Sequence, residues 1–184
     1  MEQIDEKTFA QLARLAGFGR TGFCSAAAFT AERKAVERGP EIAERRQLRF
    51  DPTADDPRTK SIAVMLWPYV PAAQEEDGCV FVDGYYFASN AAYHAARALE
   101  AQLTEAGHFA KANVSYPARE AALRAGMGVI GQNGMLITPE YGSRFVIILM
   151  ATDIVHTAPD CGEHGGCLHC GRCAKACPCL LYTS

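Results

Sequence analysis

The stretch Cys167-Leu-His-Cys170-Gly-Arg-Cys173-Ala-Lys-Ala-Cys177-Pro178 carries four cysteines and a proline at fixed intervals. The intervals read C-x2-C-x2-C-x3-C-P, the spacing with which bacterial proteins hold cubane iron–sulfur clusters. Thiolates two residues apart on a tight turn reach neighbouring corners of one cluster, whereas a fourth cysteine before a proline ligates a second cluster. We therefore predict that Cys167, Cys170 and Cys173 bind one [4Fe–4S] cluster and that Cys177 binds another.

Two other roles for these cysteines fit the spacing less well. Zinc fingers and ribbons separate two Cys/His pairs by about a dozen residues. Here the pairs overlap, although His164 and His169 keep a zinc site open as an alternative. Disulfides belong to oxidising compartments, and the chain begins Met1-Glu2-Gln3 without the apolar segment of a secretory signal. The sequence thus favours iron–sulfur clusters in a cytoplasmic protein.

The six residues after Pro178 differ in origin from the rest, in our interpretation. Cys179-Leu-Leu-Tyr-Thr-Ser184 is the translation of TGTCTCTTATACACATCT, which resembles a transposon-end adaptor of sequencing libraries. We interpret residues 179–184 as a read-through scar, the alternative being that Cys179 is genuine. A two-cluster domain needs a second cysteine run, and the sequence has none. We therefore expect a first domain over residues 1–155, an incomplete cluster domain over 156–178, and the scar.

The composition is that of a globular protein. The 184 residues are 49% hydrophobic and 21% charged, and no apolar run reaches the length of a membrane span. A net charge of −3 gives no general attraction to nucleic acid. Basic residues gather between Arg33 and Lys60, but acidic residues nearly balance them, which indicates a solvated face. Cys24 and Cys79 stand apart from the run and are expected to be small buried hydrophobes.

The remaining pattern predicts helices and strands around one buried strand. Residues 61–67 form a continuous apolar run, typical of a strand buried on both faces. Helices are predicted over 5–16, 26–38, 41–49, from Ser89 or Asn90 to Gly107, and 117–124. Strands are predicted over 21–24, 111–116, 135–138 and 143–151, with 78–87 as an edge strand or loop. Because strands and helices do not alternate strictly, we predict an α+β or mixed-sheet α/β core.

The segment Gly126-Met-Gly128-Val-Ile-Gly131 matches the G-x-G-x-x-G pattern of dinucleotide-binding loops. Such a loop follows a strand and opens a helix. Here a predicted helix precedes the glycines and a predicted strand follows them, so the context argues against a nucleotide site. Two interpretations stay open. The glycines let the backbone approach a large flat ligand, or they form a turn-rich structural loop.

Several blocks of the sequence together resemble the epoxyqueuosine reductase family. The specific blocks run from Tyr116-Pro-Ala-Arg-Glu through Gln132-Asn133, then Ile137-Thr-Pro139-Glu-Tyr-Gly142-Ser143, Thr152-Asp153 and the cysteine run. Arg58-Thr-Lys60-Ser61-Ile and Phe87-Ala-Ser-Asn-Ala-Ala-Tyr93-His94 fit more loosely. The resemblance implies a cobalamin-binding domain, related to nitroreductase and reductive-dehalogenase folds, followed by the start of a ferredoxin-like domain with two [4Fe–4S] clusters. It implies reduction of epoxyqueuosine to queuosine in tRNA.

The resemblance also implies where the corrin binds and how it is reduced. We expect cobalamin to lie against residues 126–143, under the C-terminal ends of the apolar strands and beside the Tyr93 helix. The expected contacts are Gly126, Gly128, Gly131, Asn133, Tyr141, Gly142 and Ser143. No histidine lies in a motif typical of a cobalt ligand, so the lower axial position is expected to be free of protein. The clusters would pass single electrons to cobalamin, whose cobalt(I) state is a strong reductant.

The expected proton donor is missing. The family places an aspartate directly before a Tyr-His pair, and this chain has Ala92-Tyr93-His94. Tyr93 or His94 would have to replace it, the alternatives being a packing role for Tyr93 and a plain surface position for His94. On this view, Ala92→Asp would restore the donor. The alanine also supports a second hypothesis, in which the protein is a ferredoxin-type electron carrier that binds no corrin.

The partners expected from these hypotheses are few. A reductase of this kind needs an electron donor such as a flavodoxin or ferredoxin. A tRNA substrate is implied by the resemblance and is not supported by the charge. No membrane partner is expected, and the protein is expected to be a monomer.

Overall fold

The apolar strand predicted around residues 61–67 lies at the centre of the observed fold. The computed structural model describes residues 4–36, 47–70, 82–161, 167 and 169–177. In chain order, the described elements are α1 (Glu6–Leu15), β1 (Arg20–Ser25), α2 (Thr30–Val36), α3 (Pro52–Asp55), β2 (Ser61–Pro68), α4 (Gly84–Glu105), β3 (Ala110–Ala112), α5 (Ala118–Arg124), β4 (Val129–Ile130), β5 (Leu136–Ile137), β6 (Phe145–Thr152) and α6 (Arg172–Ala176).

Four of the strands form one sheet in the order β1-β2-β6-β3. Every pairing in it is antiparallel: Gly22 of β1 lies opposite Val64, and Ser61 of β2 lies opposite Thr152 of β6. Strands β4 and β5 form a separate two-stranded hairpin. The α+β prediction is therefore confirmed, with a sheet that is antiparallel throughout rather than mixed.

Both faces of the sheet are covered, as the unbroken apolar sequence of β2 predicts. Successive side chains of a strand point to opposite faces. Ala63 and Met65 pack with α1 and α4, in a cluster that includes Phe9, Ala92 and Leu99. Ile62, Val64 and Leu66 pack on the other face, with residues of α5 and the β4–β5 hairpin. The core thus has three layers, and α4 and the hairpin lie on opposite sides of the sheet.

Several predicted helix ends are confirmed by their capping geometry. The Asp5 carboxylate accepts a hydrogen bond of 2.8 Å from the Thr8 amide at the start of α1. Gly17 follows that helix with φ of 107°, and Gly107 follows α4 with φ of 87°. Pro117 directly precedes α5. Left-handed backbone of this kind after a helix favours glycine.

The predicted start of α4 is wrong. Residues 84–87, expected in an edge strand or loop, form its first turn, while residues 78–81 lie outside the described part of the chain. The cap is Asp83, whose carboxylate accepts from the Tyr85 amide at 2.7 Å. Ser89 and Asn90, the predicted caps, lie inside the helix and donate to the Tyr86 carbonyl. The exposed aromatic residues suggested a strand, but Asp83 and Gly84 directly before them begin a helix.

Other boundaries also differ from the prediction. Strand β3 covers three residues rather than 111–116, because Asn113 has φ of 56° and turns the chain. The helix predicted from residue 26 begins at Thr30, and the predicted loop around residues 51–57 contains α3, capped by Asp51. Residues 41–46 of another predicted helix lie outside the described residues. None of the described helices is long and apolar enough to span a bilayer.

Candidate cofactor-binding site

The glycine-rich sequence forms the end of α5 and the β4–β5 hairpin that follows it. We call residues 126–143 the hairpin segment. Gly126 has φ of 63°, and its amide donates to the Leu123 carbonyl at 2.8 Å, which ends α5. Gly134 has φ of 72° and lies at the tip, where its amide donates to the Gly131 carbonyl. A helix therefore precedes the glycines and a strand follows them, as expected, and the dinucleotide-loop context is absent from this segment.

The protein itself fills the space beside three of the glycines. A Cβ atom on Gly126 would lie 2.7 Å from Sγ of Cys161. One on Gly131 would lie 2.8 Å from Cδ1 of Ile137, and one on Gly128 would collide with the Ile137 carbonyl oxygen. These contacts favour the structural-loop interpretation at the three positions. Gly142 differs, because it has φ of 59° and no atom lies within 4 Å of a Cβ placed there.

Two arginines hold the hairpin segment against the core. Arg20 of β1 donates to the carbonyls of Gly126 and Met127 at 3.3 and 3.2 Å, and it forms an ion pair of 3.2 Å with Glu140. It therefore joins the beginning of the segment to its end. Arg119 of α5 donates to the Gly134 carbonyl at the tip. Sequence patterns do not identify these arginines, because their partners are distant in sequence or are backbone atoms.

The outer surface of the hairpin segment suits a wide, flat ligand. Met135 and Ile137 are large apolar residues that stay 46% and 36% exposed, and open space lies beside Gly142 close to them. Asn133 uses its side-chain oxygen to accept from the Met135 amide at 3.2 Å. Its amide nitrogen and the half-buried Ser143 hydroxyl are polar groups on the same segment. The segment thus presents exposed apolar side chains beside a few polar groups, a composition typical of ligand-contacting surfaces.

Tyr141 supports the segment from inside. It is half-buried, and its hydroxyl lies 2.6 Å from the place that a Cβ on Gly19 would occupy. Its amide donates to the Thr138 hydroxyl at 3.1 Å. Tyr141 therefore fixes the loop near Gly142, and the close contact at Gly19 requires a glycine there.

The structure does not bring Tyr93 and His94 to the hairpin segment. Both residues are exposed on α4, with their rings edge-to-face at 5.5 Å, and Asn113 donates to the Tyr93 carbonyl at 3.4 Å. Since α4 and the hairpin cover opposite faces, the sheet separates the candidate acids from the candidate corrin surface. Ala92, at the position of the family's aspartate, is fully buried in the core.

The cysteine run has a backbone suited to anionic sulfur. The His169 amide donates to Sγ of Cys167 at 3.4 Å, and His169 and Gly171 have φ of 50° and 69°. Left-handed residues turn successive amides toward one side, as in the backbone nests of iron–sulfur sites. Cys173 lies in helix α6 and Cys177 directly follows it, four residues or about one turn later.

Within the part of the chain that the structure describes, three or more His, Cys, Asp or Glu side chains do not gather around one point suited to a metal ion. His164, one of the two histidines of the zinc alternative, lies outside the described residues. The preference for iron–sulfur clusters over zinc therefore rests on the spacing of the four cysteines.

Cys24 has no part in this chemistry. It is fully buried, and its burial, reinforced by the nearby Asp160 carboxylate, raises the pKa of the thiol to about 12. The thiol therefore stays protonated and packs as a small hydrophobe, as the sequence predicts. Cys79 lies outside the described residues.

Comparison with known proteins gives partial sequence matches to two groups of enzymes. An epoxyqueuosine reductase of Listeria monocytogenes is 47% identical over 57 residues, which are 31% of this chain and 15% of that protein. A tetrachloroethene reductive dehalogenase of Desulfitobacterium hafniense is 43% identical over 61 residues, 31% of this chain and 11% of that protein. The matched segments are thus small parts of their relatives, and no protein-family model matches the chain.

The fold likeness covers almost the whole chain. A crystal structure of epoxyqueuosine reductase with a tRNA-Tyr epoxyqueuosine-modified stem loop superposes with a TM-score of 0.72 and 23% identity, over 94% of this chain and 51% of that one. A reductive dehalogenase structure, described with a mechanism for B12-dependent dehalogenation, gives 0.61 and 15% identity, over 98% of this chain and 23% of that one. This chain therefore spans about half the length of the epoxyqueuosine reductase structure. The chain is therefore similar in sequence to epoxyqueuosine reductases over about a third of its length, has their fold over 94% of its length, and shares that fold less closely with the reductive dehalogenases.

Proposed function

We propose that this chain carries the corrin-binding part of a cobalamin-dependent iron–sulfur reductase of the epoxyqueuosine reductase type. The observation that carries the proposal is the fold likeness over 94% of the chain, joined to a cysteine run with cluster spacing. The exposed apolar surface of the hairpin segment supports it, because a wide ring needs such a surface.

In this proposal each group of residues has one task. Met135 and Ile137 contact the corrin, Asn133 and Ser143 donate hydrogen bonds to its amide side chains, and Gly142 leaves room for its edge. Cys167, Cys170, Cys173 and Cys177 hold the clusters. When bound, the clusters supply single electrons and cobalamin supplies the nucleophilic reductant, while the protein provides orientation and protons.

The substrate proposed is epoxyqueuosine in tRNA, with a flavodoxin or ferredoxin as electron donor. Opening an epoxide leaves an alkoxide, which requires a general acid. Tyr93 and His94 are the candidate donors in this chain, since both are exposed and carry exchangeable protons. Both side chains lie across the sheet from the hairpin segment, so this assignment requires the epoxide to contact α4 as well as the corrin.

The proposal is tested by reconstituting the chain anaerobically with iron, sulfide and cob(II)alamin. We expect a corrin spectrum that survives gel filtration, together with only weak iron–sulfur absorption, because the run supplies three thiolates to one cluster and one thiolate to the other. Retention of the cluster absorption without corrin would refute the reductase and favour the electron carrier that Ala92 suggests. Turnover of an epoxyqueuosine-modified stem loop with a chemical reductant then tests the substrate.

The cluster ligands are tested by a pair of cysteine variants. Cys170→Ser should lower the iron bound per chain, because it removes one thiolate from the run. Cys161→Ser is the matched control, since Cys161 is also exposed but lies outside the run. Equal iron content in the two variants would contradict the assignment of Cys170.

A further inference from the structure

The segment after β6 returns along the first domain before it reaches the cysteine run. At its start, the Asp153 amide donates to the Phe109 carbonyl, and the Asp153 carboxylate accepts from the Phe109 amide at 2.9 Å. Nδ1 of His156 lies 2.6 Å from a carboxylate oxygen of Glu6. The segment is therefore attached to the core from its first residue.

At its end, Asp160 binds Ser25 through both carboxylate oxygens. Oδ1 accepts from the Ser25 amide at 2.7 Å, and Oδ2 accepts from the Ser25 hydroxyl at 2.6 Å. Ser25 is the last residue of β1, which pairs with β2 and forms one edge of the sheet among the described strands. The amide of an edge strand that faces away from the sheet needs another acceptor. Asp160 supplies it with a charged group, and such hydrogen bonds are the stronger ones.

The next residue is fixed to the other side of the site. The Cys161 amide donates to the Arg124 carbonyl at 2.7 Å, so it pairs one of the carbonyls left open at the end of α5. Its sulfur lies directly over Gly126, where any side chain would collide with it. Two successive residues are therefore held between β1 and the first residue of the hairpin segment.

We infer that Asp160 is a positioning residue, and that its contact with Ser25 sets where the cysteine run stands relative to the hairpin segment. Cys167 follows Cys161 by six residues, and it follows His156, the preceding attachment point, by 11. A fully extended chain spans about 3.4 Å per residue, so Cys167 lies within roughly 20 Å of the anchored Cys161. Without the anchor, its reach is measured from His156 and grows to roughly 37 Å.

The shorter tether has a kinetic consequence that rests on the proposed function. Local concentration falls roughly as the −3/2 power of tether length, so lengthening the tether from six to 11 residues lowers encounters between cluster and corrin by about 2.5-fold. The anchor keeps the electron source beside the surface proposed for its acceptor. Its function is geometric, since Asp160 itself contacts neither partner in the described structure.

Hydrogen exchange tests the anchor whether or not corrin binds. In Asp160→Ala, exchange at the Ser25 and Cys161 amides should rise on the order of tenfold or more, because both hydrogen bonds to Ser25 are lost. Asp160→Asn should restore most of the protection, since its amide oxygen still accepts from the Ser25 amide. Ser25→Ala, which keeps the backbone hydrogen bond, should be intermediate.

The control is Asp83→Ala, because the Asp83 carboxylate likewise accepts from a backbone amide, that of Tyr85 at 2.7 Å, at the start of α4. It should leave exchange over residues 153–161 unchanged. Stopped-flow reduction of bound cob(II)alamin by the reduced cluster gives the functional readout, with a rate about 2.5-fold lower in Asp160→Ala and restored in Asp160→Asn.

Wild-type exchange at Ser25 and Cys161 in Asp160→Ala would overturn the inference. So would equal exchange in the Asn and Ala variants. If Asp160→Ala does not fold, the other two variants decide the test, because exchange at the Ser25 and Cys161 amides should be faster in Ser25→Ala than in Asp160→Asn. Failure of the wild-type chain to bind corrin would refute the proposed function instead, and the exchange ranking would still decide the anchor.

Discussion

Replacing Ala92 by aspartate should destabilise the protein rather than repair an active site. Ala92 has no exposed surface, and it lies in the apolar cluster between α4 and the sheet. A carboxylate at this position has no partner within that cluster and no access to water. Ala91 precedes it on the same helix and is exposed, so Ala91→Asp is a matched control.

The expected loss of stability follows from the different burial of positions 91 and 92. Both variants lose helix propensity, which costs roughly 0.5–0.7 kcal/mol for aspartate in place of alanine. Only Ala92→Asp also buries a charge without compensation, and such groups cost about 3–5 kcal/mol. A domain with a total stability of about 5–15 kcal/mol would lose a large share of it.

The destabilisation caused by Ala92→Asp should become smaller as the pH falls. Burial disfavours the charged form, so the pKa of the new carboxyl in the folded state lies above its unfolded value of about 3.9. The penalty is complete above the folded-state pKa and shrinks as the pH falls through it, by about 1.4 kcal/mol per unit. Urea unfolding followed by circular dichroism at pH 7.5 and 5.5 measures both effects. Equal stability of the two variants at pH 7.5, or a gain in epoxyqueuosine reduction by a fully stable Ala92→Asp protein, would refute this reasoning.

Two further predictions concern the hairpin and one surface carboxylate. Gly128→Ala should lower the free energy of unfolding by about 1–3 kcal/mol, because the new methyl group collides with Ile137. Gly142→Ala should cost less, because it meets only the strain of a left-handed backbone. Thermal melts that rank the two variants in reverse would contradict the hairpin packing. The hydrogen bond from Arg58 is the main cause that lowers the pKa of Asp56 to about 2, so Arg58→Ala should raise that pKa toward 3.8 in an NMR titration. The stability linked to this depressed pKa is present above 3.8 and is lost as the pH falls toward 2, and an unchanged pKa in the variant would exclude Arg58 as the cause.

Local sequence patterns correctly predicted the elements whose limits depend on residues close together in the sequence. The apolar run of β2 identified the central strand because burial on both faces leaves no polar position. Asp5 and Gly17 identified the ends of α1 because a side-chain cap and a left-handed residue act over one turn. The start of α4 was missed since Ser89, Asn90 and Asp83 are all competent caps, and tertiary packing selects among them.

The candidate site was less predictable because its contacts are long-range. The glycines of the hairpin segment were identified as unusual, but their neighbours are Ile137 and Cys161, which no spacing connects to them. The separation of Tyr93 from the hairpin segment depends on which face of the sheet each element covers. Asp160 and Ser25 meet across 135 positions of sequence, which no motif records. Among the candidate site residues, the four cysteines were the group whose proposed role, iron–sulfur ligation, could be predicted from their spacing alone.

The central pair of strands has a consequence for how the chain folds. Pro68 at the end of β2 pairs with Phe145 at the start of β6, so the connection between them contains α4, α5 and the whole hairpin. The entropy of closing so long a loop is lost before the contacts between β2 and β6 form, which makes folding slow. During synthesis, β2 emerges long before its partner and presents an apolar edge of eight residues. Any shortened version that ends before Thr152 should therefore aggregate rather than fold, whatever becomes of the cysteines beyond it.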